Sequence, residues 1–123
     1  MDIGALYQGA GRCLFRVWAP QRSCVSVLLT APEEEIIPMA QEDQGYWAVT
    51  VDGVSPGACY KYLLNQDQAW PDPASFYQPQ GVHGPSAVWD HAGFPWHDAG
   101  WRPVPLQEML IYELHIGAFS EEG

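Results

Sequence analysis

Residues 11–18 read GRCLFRVW and residues 24–30 read CVSVLLT. Both stretches alternate. Cys13, Phe15 and Val17 fall on one side of an extended chain, and Leu14, Arg16 and Trp18 on the other. Val25, Val27 and Leu29 share a side in the second. A period of two over a β-branched and aromatic run is the pattern of a half-buried strand. The pattern returns in 46–51 (YWAVTV), with Trp47, Val49 and Val51 in phase, and in 58–64 (ACYKYLL), with Tyr60, Tyr62 and Leu64 opposite Lys61. Ala19-Pro20, Asp43-Gln44-Gly45 and Ser55-Pro56-Gly57 break the runs. Ile36 to Met39 reads as a short edge strand, because Pro38 removes a ladder donor. Short strands separated by turns at intervals of about ten residues predict an all-β sandwich. No segment carries helical periodicity over ten or more residues.

The chain has 123 residues, which suits one domain and not two ordinary ones. Charged residues are 16% and hydrophobic residues 47%, a globular composition. The net charge of −10 provides no cationic footprint for nucleic acid and no attraction to an anionic membrane. No apolar run reaches the roughly 20 residues of a membrane span, and the start shows no basic, apolar leader. Cys13, Cys24 and Cys59 form no C-x-x-C pair, so the expectation is free thiols in a reducing cytoplasm and no cofactor. His83, His91 and His97 match no zinc spacing, and Glu33-Glu34-Glu35 reads as a solvated turn, so no metal site is expected.

From Asn65 to Pro105 the texture changes to Pro, Gly, Trp and His, with alternation only over Ser86 to Trp89. Met109 to Phe119 (MLIYELHIGAF) then reads as an apolar strand, followed at once by Glu121-Glu122-Gly123. A buried-type strand in that position is expected to continue into a further domain.

Several strings resemble one family. Phe15-Arg16-Val17-Trp18-Ala19-Pro20 looks like the opening strand of the sandwiches that precede alpha-amylase-type barrels, and Gly45-Tyr46-Trp47 and Tyr60-Lys61-Tyr62 look like later strands. Pro71-Asp72-Pro73-Ala74-Ser75 followed by 78–86 (QPQGVHGPS) resembles the malto-oligosyltrehalose trehalohydrolases. Residues 111–119 (IYELHIGAF) look like the first strand of that family's barrel. The family commonly has Arg after its DPAS string, where this chain has Phe76.

The resemblance implies an immunoglobulin-like, carbohydrate-binding-module-like sandwich over 1–91, a linker over 92–109 and the start of a (β/α)₈ barrel over 110–123. It implies a role as the N-terminal accessory domain of a retaining glycosidase that releases trehalose from maltooligosyl-trehalose. Such chemistry needs two carboxyl groups about 5–5.5 Å apart, and in these barrels they come from later strands. The chain is therefore expected to carry no catalytic residue and to have its own barrel as its main partner. By resemblance to glycogen-binding relatives, Lys61 and Trp70 are candidate α-glucan contacts, while the loop 31–35 lacks those relatives' second Trp. Asp72 and Ser75 are expected to fix a turn, His83 to hold its loop by hydrogen bonds to backbone, and Glu113 with His115 to form a hydrogen-bonded pair inside the barrel. Alternatives are an independent glucan-binding module, or a non-catalytic protein-interaction sandwich. An isolated 109–119 strand is further expected to self-associate through Leu110 to Phe119, or to be disordered.

Overall fold

A computed structural model describes residues 2–119. Nine strands follow in order: β1 Gly4–Gly9, β2 Arg12–Trp18, β3 Val25–Ala31, β4 Glu35–Pro38, β5 Ala40–Gln41, β6 Tyr46–Asp52, β7 Cys59–Leu64, β8 Gln68–Trp70 and β9 Ser86–Ala87. They build two antiparallel sheets, β1-β2-β6-β5 and β4-β3-β7-β8, with β9 also paired to β7. This is the all-β sandwich that the alternation implies.

The interior is assembled by phase. Cys13, Phe15 and Val17 enter from β2, Val25, Val27 and Leu29 from β3, Trp47 from β6, and Tyr60 and Tyr62 from β7; all are buried. Val49 and Val51, in the same phase as Trp47, pack partly buried against them. Phe15 meets Tyr60 across the two sheets, edge to face, with ring centroids 4.9 Å apart. Tyr60 meets Tyr62 in the same manner at 5.8 Å. These are favoured quadrupole arrangements that add to area burial.

The strands β1, β5 and β8 escape the periodicity reading. β1 (GALYQG) has no β-branched residue, yet it pairs with β2 from Gly4↔Arg16 to Gly9↔Arg12. The hairpin turns through Ala10 and Gly11, both at positive φ, the geometry that matches strand twist in two-residue loops. β5 and β8 are too short to show a period, and they are recruited by β6 and β7; β9, inside the alternating stretch Ser86 to Trp89, also pairs with β7.

The expected strand at 109–119 is a correction. Residues 109–115 pair with no strand among the described residues, and Ile116–Phe119 closes one helical turn, α1. Leu110, Ile111, Tyr112, Leu114 and Phe119 are all exposed. A ladder needs a neighbour for its backbone groups, and no described strand pairs with this segment. The last residues of that stretch, 120–123, lie outside the described residues. No described helix is long and apolar enough to cross a membrane.

Candidate functional site

Lys61 and Trp70 sit on adjacent strands but do not form one surface. Trp70 pairs with Tyr62, so its side chain leaves the sheet on the side of Tyr62, at the open edge. Lys61 is one residue out of that phase, pairs with Leu28 and leaves on the outer face. The three-residue connection Asn65–Asp67 between β7 and β8 sets this register, with Leu64 opposite Gln68. Trp70 stays 57% exposed, so its ring is not packed into the sandwich. Loop 31–35 carries no aromatic ring to complete a platform on the Lys61 face.

Asp72 lies directly after Trp70 and Pro71, and it is buried. Its Oδ2 accepts the Tyr60 hydroxyl at 2.7 Å, and its Oδ1 accepts the Ala74 amide at 2.7 Å. Its own amide donates to the Ser86 hydroxyl at 3.1 Å. Burial raises the Asp72 carboxyl above its ordinary value, against the lowering effect of these donors. Burial, and the neighbouring Asp72 charge, also push the Tyr60 phenol far up, so it stays a donor. Ser75 donates to the Tyr77 carbonyl at 3.0 Å. The group joins β7, the 72–75 turn and β9, and it stands away from solvent.

His83 differs from expectation. It is exposed and makes no hydrogen bond among the described residues. Its loop is held instead by the Gln78 side-chain amide donating to the Val82 carbonyl at 3.1 Å, and by the Gly84 amide on the Gly81 carbonyl at 2.9 Å. Glu113 and His115 are both exposed, with no hydrogen bond between them among the described residues. Their expected setting, a paired strand, is not formed. Among the described residues no three His, Cys, Asp or Glu side chains converge as metal ligands.

The alternation puts Trp18 on the face opposite Phe15 and Val17 and marks no task for it. It is 59% exposed, and its Nε1 donates to the Gln44 carbonyl at 3.0 Å. The signal was available: Trp18 is out of phase with Phe15 and Val17, so a large flat ring had to face outward.

A two-sheet sandwich with rings exposed at its edge and no buried catalytic constellation among the described residues is the form of a carbohydrate-binding module. The match to Carbohydrate-binding module 48 (Isoamylase N-terminal domain) covers residues 2–77, and the chain belongs to this family. It is similar to the malto-oligosyltrehalose trehalohydrolase of Saccharolobus solfataricus, 41% identical over 109 residues, covering 89% of this chain and 19% of that protein. It is similar also to the enzyme of that name from Rhizobium sp. strain M-11, 39% identical over 126 residues, 99% of this chain and 21% of that protein. Among solved structures, a putative alpha amylase from Salmonella typhimurium superposes with a TM-score of 0.76 at 34% identity, over 98% of this chain and 20% of that one. The chain thus spans about a fifth of the length of the relatives it matches.

Proposed function

We propose that this chain is the accessory module of a trehalohydrolase-type glycosidase, standing N-terminal to a (β/α)₈ barrel that hydrolyses the α-1,4 bond releasing trehalose from maltooligosyl-trehalose. In this reading residues 1–91 are the sandwich, 92–109 the linker and 110–123 the entry into the barrel, and the module works in the cytoplasm. It docks on the barrel and supports it, and it carries no catalytic residue of its own. The observation that supports this most is the 41% identity to a trehalohydrolase across 89% of the chain. The exposed Leu110, Ile111, Tyr112 and Leu114 support it further, since apolar side chains in sequence call for cover. Without the barrel, the same segment pairs copies of the chain.

The test compares trehalose release from maltooligosyl-trehalose by the purified chain and by the longer protein that contains it. Release by the longer protein alone is expected. Release by the chain itself would overturn the division of labour, and a longer protein inert on this substrate would overturn the substrate. Sedimentation of the chain with and without residues 108–123 tests the pairing; a monomer in both cases removes it.

A second role rests on the exposure of Trp70 in a carbohydrate-binding fold: this ring stacks on a glucosyl unit of an α-glucan, without Lys61, which faces the other way. One stacking surface offsets little beyond the cost of association, so the dissociation constant for maltoheptaose is expected above about 0.1 mM. Loss of that binding in Trp70→Ala is the expected result, and unchanged affinity would reject the role.

A further inference from the structure

The ring of Trp18 is held in place by its surroundings. The Ala19 amide donates to the Gly45 carbonyl at 2.9 Å, and the Trp18 indole N–H donates to the Gln44 carbonyl at 3.0 Å. Gln44 has φ 60°, a left-handed conformation uncommon for a residue with a side chain. Gly45, at φ 84°, comes so close to Pro20 that a Cβ would stand 2.5 Å from the Pro20 Cβ. The corner Ala19-Pro20 and the turn Asp43–Gly45 are thus locked together, and the exposed indole cannot swing away without breaking its hydrogen bond.

The indole borders two concavities. One, of about 370 Å³, is formed with Ala19, Pro20, Gln21, Arg22 and Leu64. The other lies against Ile3, Arg16 and the turn Asp72–Ala74. Arg16 is committed to Glu42, with Nε to Oε2 at 2.9 Å and Nη2 to Oε1 at 3.2 Å. Arg22 is not: among the described residues its guanidinium has neither a carboxylate nor a hydrogen-bond partner, although the chain carries fifteen acidic residues against five basic ones. A fixed apolar plane therefore stands beside an uncommitted planar fork of donors and the exposed amide of Gln21.

That combination fits a hexopyranose. A glucopyranosyl ring with equatorial hydroxyls has an apolar C–H face for the indole and adjacent hydroxyls at its rim. Arg presents donors in a rigid planar fork that can meet two neighbouring oxygens at once. We infer that Trp18, Arg22 and Gln21 form a binding site for a single glucosyl unit, separate from Trp70 and independent of it. The unit comes either from the end of an α-glucan or from a free disaccharide such as trehalose. The fixed ring lowers the ordering cost that a mobile side chain would bring.

The test follows the indole N–H resonances of the 123-residue chain while maltoheptaose and trehalose are titrated separately. A shift of the Trp18 resonance with either sugar is expected, and which sugar gives it identifies the source. Trp18→Ala should weaken that sugar about tenfold or more, and Arg22→Gln should weaken it while leaving the urea midpoint unchanged. If Trp18→Ala fails to fold, Arg22→Gln and Gln21→Ala decide, since Gln21 is exposed and the half-buried Arg22 guanidinium has no partner among the described residues. Undiminished affinity in these variants overturns the inference, as does a chain in which neither sugar moves Trp18 up to about 10 mM. Binding lost in Trp70→Ala but kept in Trp18→Ala also overturns it, while leaving the role of Trp70 standing.

Discussion

The Tyr60 hydroxyl donates to Oδ2 of Asp72 at 2.7 Å inside the sandwich. The bond ties a core tyrosine of β7 to a turn twelve residues later, and Asp72 passes the connection on through the Ala74 amide and the Ser86 hydroxyl. Ala74 in turn lies under Gly4, where a Cβ would stand 2.9 Å from the Ala74 carbonyl oxygen. One carboxyl group thus positions the segment that leads away from Trp70 and the first strand that packs on it.

Asp72→Ala is expected to cost about 2–4 kcal/mol, because it leaves the buried Tyr60 hydroxyl and the Ala74 amide without their acceptor. Urea unfolding followed by tryptophan fluorescence measures it. A loss under about 0.5 kcal/mol would mean that water or a rotated turn replaces the carboxyl at no cost.

The pH dependence has a definite sign. Burial raises the folded-state carboxyl of Asp72 above 3.8. The folded state then holds the proton more tightly than the unfolded chain, so this group's contribution is greatest below 3.8 and is lost as pH rises through the folded value. Unfolding midpoints of the parent and Asp72→Asn, compared between about pH 3 and pH 7, should show the parent's advantage shrinking as pH rises. An advantage that grows with pH would mean the hydrogen bonds to the ionised form outweigh desolvation.

Trp47→Ala should cost about 3–5 kcal/mol, a large share of the stability of a small domain. Trp47 is buried on the inner face, and its indole N–H donates to the Ala19 carbonyl at 3.1 Å. A near-zero change in the denaturation midpoint would contradict its place in the core.

Gly45→Ala is expected to destabilise by about 1–3 kcal/mol, through positive φ and the contact with Pro20 together. It should also shift the Trp18 indole N–H resonance, since the Gln44 carbonyl moves with the turn. A variant as stable as the parent with an unmoved Trp18 signal would show that the corner is not locked.

Cys13 is fully buried, and burial pushes its thiol up to about 12. A thiol in that state supplies almost no thiolate near neutrality. Mass spectrometry after brief iodoacetamide treatment at pH 8 should find Cys13 unlabelled in the native chain and labelled in urea. Native labelling of Cys13 at the rate seen in urea would contradict the buried position.

The alternation of β2, β3, β6 and β7 was legible because a strand with one buried face must repeat its apolar residues every second position, and that local rule needs no partner to be read. Phe15, Val27, Tyr60 and Tyr62 were found in this way. So was the edge strand at Pro38. The small strands β1, β5 and β8 were not legible: Gly4–Gly9 is extended because β2 offers a ladder, and nothing in six residues without a β-branched side chain announces it. The stretch 109–119 has the same source in reverse. Its apolar pattern is that of a strand, but a strand exists only where a neighbour receives its hydrogen bonds. The candidate site divides along the same line. That Trp18 and Trp70 are large rings in a punctuated chain could be read directly. Which way each points depends on the register between strands, and that is a property of the sheet: a three-residue connection places Trp70 opposite Tyr62 and so separates it from Lys61. The bond from Trp18 to Gln44 and the free guanidinium of Arg22 beside it likewise follow from residues brought together across the fold, which no periodicity along the chain encodes.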